Sequence, residues 1–344
     1  MSSKVTINTI AEACQVSPST VSLVLNGKPG VSTETRTRVL EAARTLGYLP
    51  SLSPTPARNR QLTAVGLVVK SEPGLLPTAN PFYSQIITGV DDACRDMGIN
   101  LLFAMLPVDE NNLPPRLPPL MENSNLDGLL MVGAFVDQTM HAFLGQRNLP
   151  IVLVDGYSDT ERFDMVVSDN FRAAYQAVEY LIAGGHRHIG LVGSEPGCYP
   201  SLLERRNGYL RALKEQNSPH TYLADFNVNR SQGEAETLRL LQENPQISAL
   251  FCVNDNVALG ALRAARQIGR RVPQDLSIVG YDDTYLATSI SPTLTTMRVD
   301  TLAMGRAAVH LLALRLAKPD AARTTVIIHP ELVERESASP LNGI

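Results

Sequence analysis

The amino-acid sequence predicts an α/β protein in which a small all-helical headpiece precedes two doubly wound parallel-sheet subdomains. Residues 5–26 have the pattern of two short capped helices joined by a tight turn. From residue 64 onward, apolar runs typical of buried parallel strands alternate with helical segments in two successive sets. The length of 344 residues also suits two or three domains better than one.

The helix pair is predicted from its capping residues. Thr6 can cap a first helix over residues 7–13, because its hydroxyl can accept an unpaired first-turn N–H. Ser17 can cap a second helix over residues 18–25, in which Pro18 takes the first position, where its missing N–H costs nothing. Two helices joined by so short a turn form a helix-turn-helix, whose second helix is of the kind that enters a DNA major groove.

The two faces of this helix pair differ in chemistry. The apolar residues that can close a small core are Ile10, Ala11, Val16, Val21 and Val24. The outward face carries Ser17, Pro18, Ser19, Ser22 and Leu23. Short hydroxyls suit phosphates and base edges, although capped helix pairs also occur in bundles that touch no DNA. A third helix is expected after Ser32, with Val39, Ala43 and Leu46 packing on the first two.

Charge and composition bound the possible functions. The net charge is −4, but residues 1–62 carry seven Lys or Arg against three acids, so a basic head precedes an acidic body. Four widely spaced cysteines form no CxxC pair and no disulfide framework, which indicates a reducing compartment. Because the sequence shows no signal-like or membrane-spanning apolar run, we expect a cytoplasmic protein without membrane contact. The spacing of the possible ligand residues supports no metal or cofactor site.

The run AEACQVSPSTVSLVLNGKPGVSTETRTRVLEAARTLGYLP closely resembles the headpiece of the LacI/GalR (lactose-repressor) family of bacterial transcription regulators. The resemblance continues through nearly the whole chain, and it implies subdomains of the periplasmic-binding-protein type and a homodimer on double-stranded operator DNA. A dimer rather than a tetramer is expected, because the C-terminal residues show no leucine heptad. The residue pattern and the resemblance together predict DNA contacts at Thr6, Ser17, Pro18, Ser19, Thr20, Ser22, Leu23, Asn26, Arg36, Ala57 and Arg58.

Two departures from the family pattern bear on DNA recognition. Many relatives carry an Arg at the position of Leu23, so here an apolar contact, for instance with a thymine methyl, is expected instead. In the linker, residues 51–62, the family forms a hinge helix whose Leu wedges into the minor groove. Pro54 and Pro56 oppose that helix, and the wedge position holds Ala57. Arg58 and Arg60 can supply a charged arm in its place.

The domain organisation expected from the apolar runs is a headpiece at 1–50, the linker and an effector-binding domain at 63–340. Its first subdomain is expected at 63–163 and 292–320, and its second at 164–291 and 321–336.

Residues 113–120, LPPRLPPL, stand where the family has a helix, and two Pro-Pro pairs predict an extended segment with a truncated helix. A peptide ligand of the SH3 type is the alternative for this run.

Ligand groups are expected beyond the carboxyl ends of the strands, where such sheets bind their ligands. The resemblance selects as effector contacts Phe82, Tyr83, Asp155, Ser201, Arg205, Phe226, Asn254 and Asp282. Carboxylates, an amide, a guanidinium and aromatic rings are what a sugar or sugar derivative needs. Acids after strands also cap helices and turns, and this is the role expected of Asp255 and Asp283.

Two functions are compatible with these features. The first is a transcription regulator, most simply a repressor, whose small effector binds in the cleft between the subdomains. The second is a sugar-handling enzyme or a sugar-binding protein with an accessory DNA-binding-like domain, since the fold alone does not fix a function. The headpiece favours the first, and no nucleophile elbow or HExxH motif supports catalysis.

Overall fold

The computed structural model describes residues 6–25, 30–46, 61–71, 77–109, 112–123, 125–145, 149–160, 162–228 and 233–341. The chain divides into two compact units, residues 1–60 and residues 61–344. The predicted DNA contacts Asn26, Ala57 and Arg58, and the linker up to residue 60, lie outside the described residues.

The headpiece contains α1 (Ile7–Cys14), α2 (Pro18–Leu25) and α3 (Thr33–Thr45), as the capping pattern predicts. Thr6 Oγ1 accepts the backbone N–H of Thr9 at 3.3 Å, and Ser17 Oγ accepts that of Thr20 at 3.1 Å. Each cap satisfies a first-turn donor that has no intrahelical partner, which stabilises a helix by about 1 kcal/mol.

The headpiece core is the apolar side of these three helices. Its buried members are Ile10, Ala11, Cys14, Val21, Val24, Val39 and Ala43, with Val16 partly buried against them. Leu46 does not join this core, contrary to the prediction, and is 36% exposed. It follows the last residue of α3, so the helical repeat that turns Val39 and Ala43 inward does not extend to it.

The second unit contains two parallel sheets flanked by helices. Its helices are α4 (Pro81–Asp96), α5 (Gln138–Gly145), α6 (Asn170–Ala183), α7 (Pro200–Glu215), α8 (Gly233–Glu243), α9 (Asp255–Gln267), α10 (Tyr285–Ser289) and α11 (Thr301–Ala317). Its strands are β1 (Ala64–Ser71), β2 (Asn100–Pro107), β3 (Gly128–Val132), β4 (Phe135–Val136), β5 (Ile151–Val154), β6 (Tyr157–Ser158), β7 (Asp164–Ser168), β8 (Ile189–Val192), β9 (Tyr222–Ala224), β10 (Ala249–Cys252), β11 (Ser277–Asp282), β12 (Thr295–Arg298), β13 (Thr325–Ile328) and β14 (Glu331–Val333).

Among the described residues, the first sheet has the strand order β13-β7-β5-β3-β1-β2, and the second has β14-β12-β11-β10-β8-β9. All neighbours run parallel except β14, which pairs antiparallel with β12. Central strands such as β3 and β5 are buried along their whole length, which explains their continuous apolar sequence. The short strands β4 and β6 form a separate parallel pair.

The expected subdomain boundaries near residues 163, 292 and 320 are wrong, because each lies one strand too early. β7 pairs with β5 and β13 pairs with β7, so both belong to the first sheet. β12 pairs with β11, so it belongs to the second sheet, and the chain returns to the first subdomain only with α11. Strand partners are long-range contacts, which an apolar run by itself does not specify.

A buried ion pair holds together the elements at which the chain passes between the subdomains. Arg315, near the end of α11, donates from Nε and Nη2 to the two carboxylate oxygens of Asp164 at 2.6 and 2.8 Å. The same carboxylate accepts the backbone N–H of Thr324 at 2.8 Å, immediately before β13. Asp164 begins β7, so this pair joins α11, β7 and β13 at one end of the first sheet.

The proline-rich run folds as predicted for a truncated helix. Only a 3₁₀ turn, Pro119–Glu122, forms there, and its Met121 is buried against the first subdomain.

Among the described residues, no helix combines the length and the apolar character that crossing a bilayer requires.

Candidate functional site

A cavity of about 800 Å³ lies between the carboxyl ends of the strands of the two sheets. All eight side chains predicted to contact a ligand line it: Phe82, Tyr83, Asp155, Ser201, Arg205, Phe226, Asn254 and Asp282. They come from loops and helix starts far apart in the sequence, and the parallel arrangement of both sheets brings them together.

Arg205 lies on the cavity wall with its guanidinium buried. It is carried by α7, with only 4% of the residue exposed. Nε donates to Asn170 Oδ1 at 2.9 Å, and Nη1 donates to the carbonyl oxygen of Val253 at 2.5 Å. The guanidinium carbon lies 3.6 Å from the ring centre of Tyr281, so a stacked aromatic ring also holds the group.

Asp282 faces Arg205 at the end of β11, with Arg205 Nη2 3.4 Å from Asp282 Oδ1. Burial raises the pKa of Asp282 to about 8, and the nearby Arg205 charge only partly offsets that rise. Oδ1 is buried and has no hydrogen bond among the described residues. A buried carboxyl oxygen without a hydrogen bond is costly, so this atom is placed to accept one from a bound molecule.

Asp155 lines the cavity from the first subdomain, directly after β5. Burial raises the pKa of Asp155 to about 6, against the lowering effect of Arg205 and Lys70. Its backbone φ is +46°, and that of Asp282 is +101°. Non-glycine residues rarely adopt positive φ, and such conformations occur preferentially at ligand sites.

Asn254 both lines the cavity and caps a helix. It lines the cavity, and its Oδ1 caps α9 by accepting the N–H of Val257 at 2.8 Å. Asp255 also lines the cavity, and its carboxylate accepts hydrogen bonds from Thr284 and Thr296, the kind of structural contact predicted for it. Asp283 likewise accepts from Arg298 Nε at 2.7 Å.

Aromatic side chains form the apolar part of the cavity wall. Phe82 and Tyr83 stand in the first turn of α4, edge-on to each other with ring centres 5.8 Å apart. Phe226, after β9, is buried, and Ser201 lies in the first turn of α7. Rings beside hydroxyl and carboxyl groups suit a ligand with both apolar C–H faces and polar edges.

Three residues of this region were missed by reasoning from the sequence. Lys70 is the next-to-last residue of β1 and is 6% exposed, with Nζ donating to Asn112 Oδ1 at 3.2 Å. Tyr199 lines the cavity just before α7, and Asn170 is buried behind Arg205. A lysine at the end of an apolar strand is a signal that could have identified Lys70. Nothing in the local sequence marks Asn170, which depends on packing between α6 and α7.

The headpiece presents the predicted polar face. Ser17 is exposed just before α2, and Pro18 and Ser19 are exposed on it. Thr20, Ser22 and Leu23 are partly exposed, and Thr6 is exposed before α1. The Ser17 hydroxyl lies 2.7 Å from that of Ser19, so the helix start carries a cluster of hydroxyls. Arg36 is partly buried, and its Nη1 lies 3.5 Å from the carbonyl oxygen of Val24 at the end of α2.

The histidines near β8 have structural contacts. His186 bonds from Nδ1 to Ser248 Oγ and from Nε2 to the carbonyl oxygen of Ser339. Across the described residues, no group of three or more His, Cys, Asp or Glu is arranged to hold a metal ion.

Comparison with known proteins gives matches to both parts of the chain. Residues 6–51 match the model described as bacterial regulatory proteins, lacI family, and residues 178–338 match the periplasmic binding protein-like domain. The ribose operon repressor of Haemophilus influenzae is 33% identical over 337 residues, which cover 96% of this chain and 98% of that protein.

Solved structures give the same result. A complex of the transcriptional regulator CelR with cellobiose is 30% identical, covers 97% of this chain and all of that chain, and has a TM-score of 0.69. The lac repressor dimer bound to operator and the anti-inducer ONPF is 25% identical, covers 97% of this chain and 98% of that chain, and has a TM-score of 0.65.

Proposed function

Because the chain belongs to the lacI family of bacterial regulatory proteins, we propose that it is a transcriptional repressor whose effector is a sugar or sugar derivative. The protein is a DNA-binding regulator controlled by a small molecule.

The observation that carries the effector class is the composition of the cavity wall. The buried guanidinium of Arg205 faces the Asp282 carboxyl, whose Oδ1 lacks a hydrogen bond among the described residues, and Asp155 lines the same cavity from the first subdomain. Hydroxyl groups both donate and accept, so one polyhydroxylated molecule can bond to all three groups. Phe226 and Tyr83 can contact its C–H faces. The relatives named for ribose and cellobiose agree with this class.

The DNA-reading surface is the exposed side of α2. Ser19 is exposed and Leu23 partly exposed on this helix, which would lie in the major groove. Thr6, Ser17, Pro18, Thr20, Ser22 and Arg36 would hold the headpiece on the DNA backbone, without reading bases. Leu23 has no hydrogen-bonding group, so it would read its base pair through an apolar contact with a thymine methyl.

The homodimer needs a surface on the second unit, and β2 offers one. This strand is at the edge of the first sheet, and its Phe103 and Met105 are 45% and 42% exposed. An exposed apolar edge strand is prone to pair with another chain unless it is covered. A second copy of this chain is the proposed occupant, in agreement with the dimeric state of the lac repressor structure. Two headpieces would then bind a pseudo-palindromic operator.

The test combines a gel shift with calorimetry. Full-length protein is titrated onto DNA from the region upstream of its own coding sequence, with a scrambled fragment as the control. We expect preference for the upstream fragment, and a change in its affinity with one member of a panel of D-ribose, D-glucose and cellobiose. A sugar can act only by binding the two conformations of the protein with unequal affinity. Equal binding of both DNA fragments would refute the regulator, and no heat with any sugar would refute the effector class.

A further inference from the structure

A continuous set of contacts joins Arg205 to the first subdomain. Arg205 Nε donates to Asn170 Oδ1 at 2.9 Å, and Asn170 Nδ2 donates to the hydroxyl oxygen of Tyr157 at 3.3 Å. Arg205 and Asn170 are on α7 and α6, which pack together, and α6 also packs on strands of the second sheet. Tyr157 follows β5 of the first sheet, so the second of these bonds crosses between the subdomains.

Tyr199 makes a second crossing beside the first. It belongs to the segment that follows β8 of the second sheet, and its hydroxyl donates to the carbonyl oxygen of Asp155 at 3.0 Å. Its ring also stands edge-on to that of Tyr157, with the ring centres 5.5 Å apart and the planes at 86°. The two tyrosines therefore link the same short segment after β5 to two elements of the other subdomain.

Asn170 has a fixed orientation in this network. It is fully buried, its Oδ1 accepts from Arg205, and its Nδ2 donates to both the carbonyl oxygen of Ser168 and Tyr157. A flipped amide would set its N–H groups against the guanidinium and leave buried groups unpaired. Any displacement of Arg205 must therefore displace Asn170, and with it the contact to Tyr157.

We propose that Asn170, Tyr157 and Tyr199 are positioning residues that couple ligand contact at Arg205 to the relative placement of the two subdomains. Arg205 and Tyr199 line the cavity, whereas Asn170 and Tyr157 are not among the residues that line it, so these two act through their neighbours. The part of this proposal that concerns a ligand rests on the proposed function. The network itself does not, because its contacts exist without ligand.

The first experiment needs neither ligand nor DNA. Hydrogen–deuterium exchange of residues 151–157 and 193–199 is compared between full-length wild type, Tyr157→Phe and Tyr199→Phe. The matched control is Tyr175→Phe, because the Tyr175 hydroxyl bonds only to Glu179 and Glu215 among the described residues. Loss of one crossing hydrogen bond predicts about five-fold faster exchange in both segments. The control should match wild type, and unchanged exchange in both test variants would overturn the proposal.

The second experiment separates coupling from binding. D-ribose is the probe, and the upstream DNA fragment is the reporter. Tyr157→Phe should bind D-ribose with a Kd within about two-fold of wild type, while the ribose-induced change in DNA affinity falls about five-fold. An undiminished change in DNA affinity would overturn the coupling role. If wild type binds neither probe nor DNA, the proposed function fails, and the exchange experiment alone decides the network.

Discussion

Arg205→Met tests the central group of the cleft most directly. The substitution keeps an unbranched side chain of similar length but removes the guanidinium. It deprives Asn170 Oδ1 and the carbonyl oxygen of Val253 of their donor, and it removes the cation that faces Asp282. Each buried acceptor left without a partner costs about 1–3 kcal/mol. We therefore expect a loss of about 2–6 kcal/mol in the free energy of unfolding near pH 6.

The loss should grow at high pH. Burial raises the pKa of Asp282 to about 8, and Arg205 holds it from rising further. Below that pH the folded state of both proteins keeps the Asp282 proton, so Asp282 adds nothing to the difference between them. Arg205 also lowers the pKa of Asp155, which is about 6, so its removal adds a separate contribution from Asp155 that begins near pH 6. Above pH 8 only the variant keeps the proton, and its stability falls by about 1.4 kcal/mol per pH unit more than that of wild type.

Urea unfolding at several pH values, followed by circular dichroism, measures both parts. The double variant Arg205→Met/Asp282→Asn should keep the part of the loss that does not involve Asp282 and lose the excess above pH 8, since Asn does not titrate and tolerates positive φ. A difference in pH dependence between the single and the double variant that is already present between pH 5 and 7 would refute the reasoning, because Asp282 would then be an ordinary ionised partner of Arg205.

Ligand binding gives the matching functional result. If a ligand hydroxyl or oxygen bonds to the guanidinium, Arg205→Met removes a charge-assisted bond worth about 1.5–3 kcal/mol. Calorimetry should then show a Kd for the bound sugar raised about 10- to 150-fold. Arg206→Met is the control, because its neighbouring guanidinium pairs with Asp225 and does not line the cavity. Equal loss in both variants would point to damage to α7 rather than to a ligand contact.

Three further predictions concern other parts of the molecule. Ser19→Ala and Leu23→Arg should change the ranking of operator variants in a binding-site selection, and an unchanged ranking would contradict the placement of α2 in the major groove. Phe103→Glu should convert the proposed dimer to a monomer in analytical ultracentrifugation, whereas a dimer that persists would exclude β2 as the interface. Arg315→Met should lower the free energy of unfolding by about 3–5 kcal/mol, because it removes the buried bidentate partner of the Asp164 carboxylate and leaves it with the partly exposed Arg323 at 3.8 Å. The double variant Arg315→Met/Asp164→Leu should recover part of the lost free energy of unfolding. If it recovers none, the loss in Arg315→Met comes from packing and not from the buried carboxylate.

The sequence by itself determined the elements of this protein. Capping hydroxyls at Thr6, Ser17 and Ser32 placed the starts of the headpiece helices, because a cap acts on N–H groups within three residues. Continuous apolar runs marked the buried parallel strands, and paired prolines reduced one helix to a single turn at Pro119–Glu122. The strand-end rule and the resemblance together identified eight residues, all of which line one cavity.

Only the tertiary structure decided which strands pair and which side chains support the cleft. β7, β12 and β13 have local sequences that fit either sheet, and their membership follows from long-range pairing and from the Asp164–Arg315 contact. Asn170 and Tyr157 support the cleft through hydrogen bonds to residues that are distant in the sequence. The raised pKa of Asp282 likewise depends on burial. Burial follows from the tertiary structure, and the position of an aspartate after a strand does not specify it.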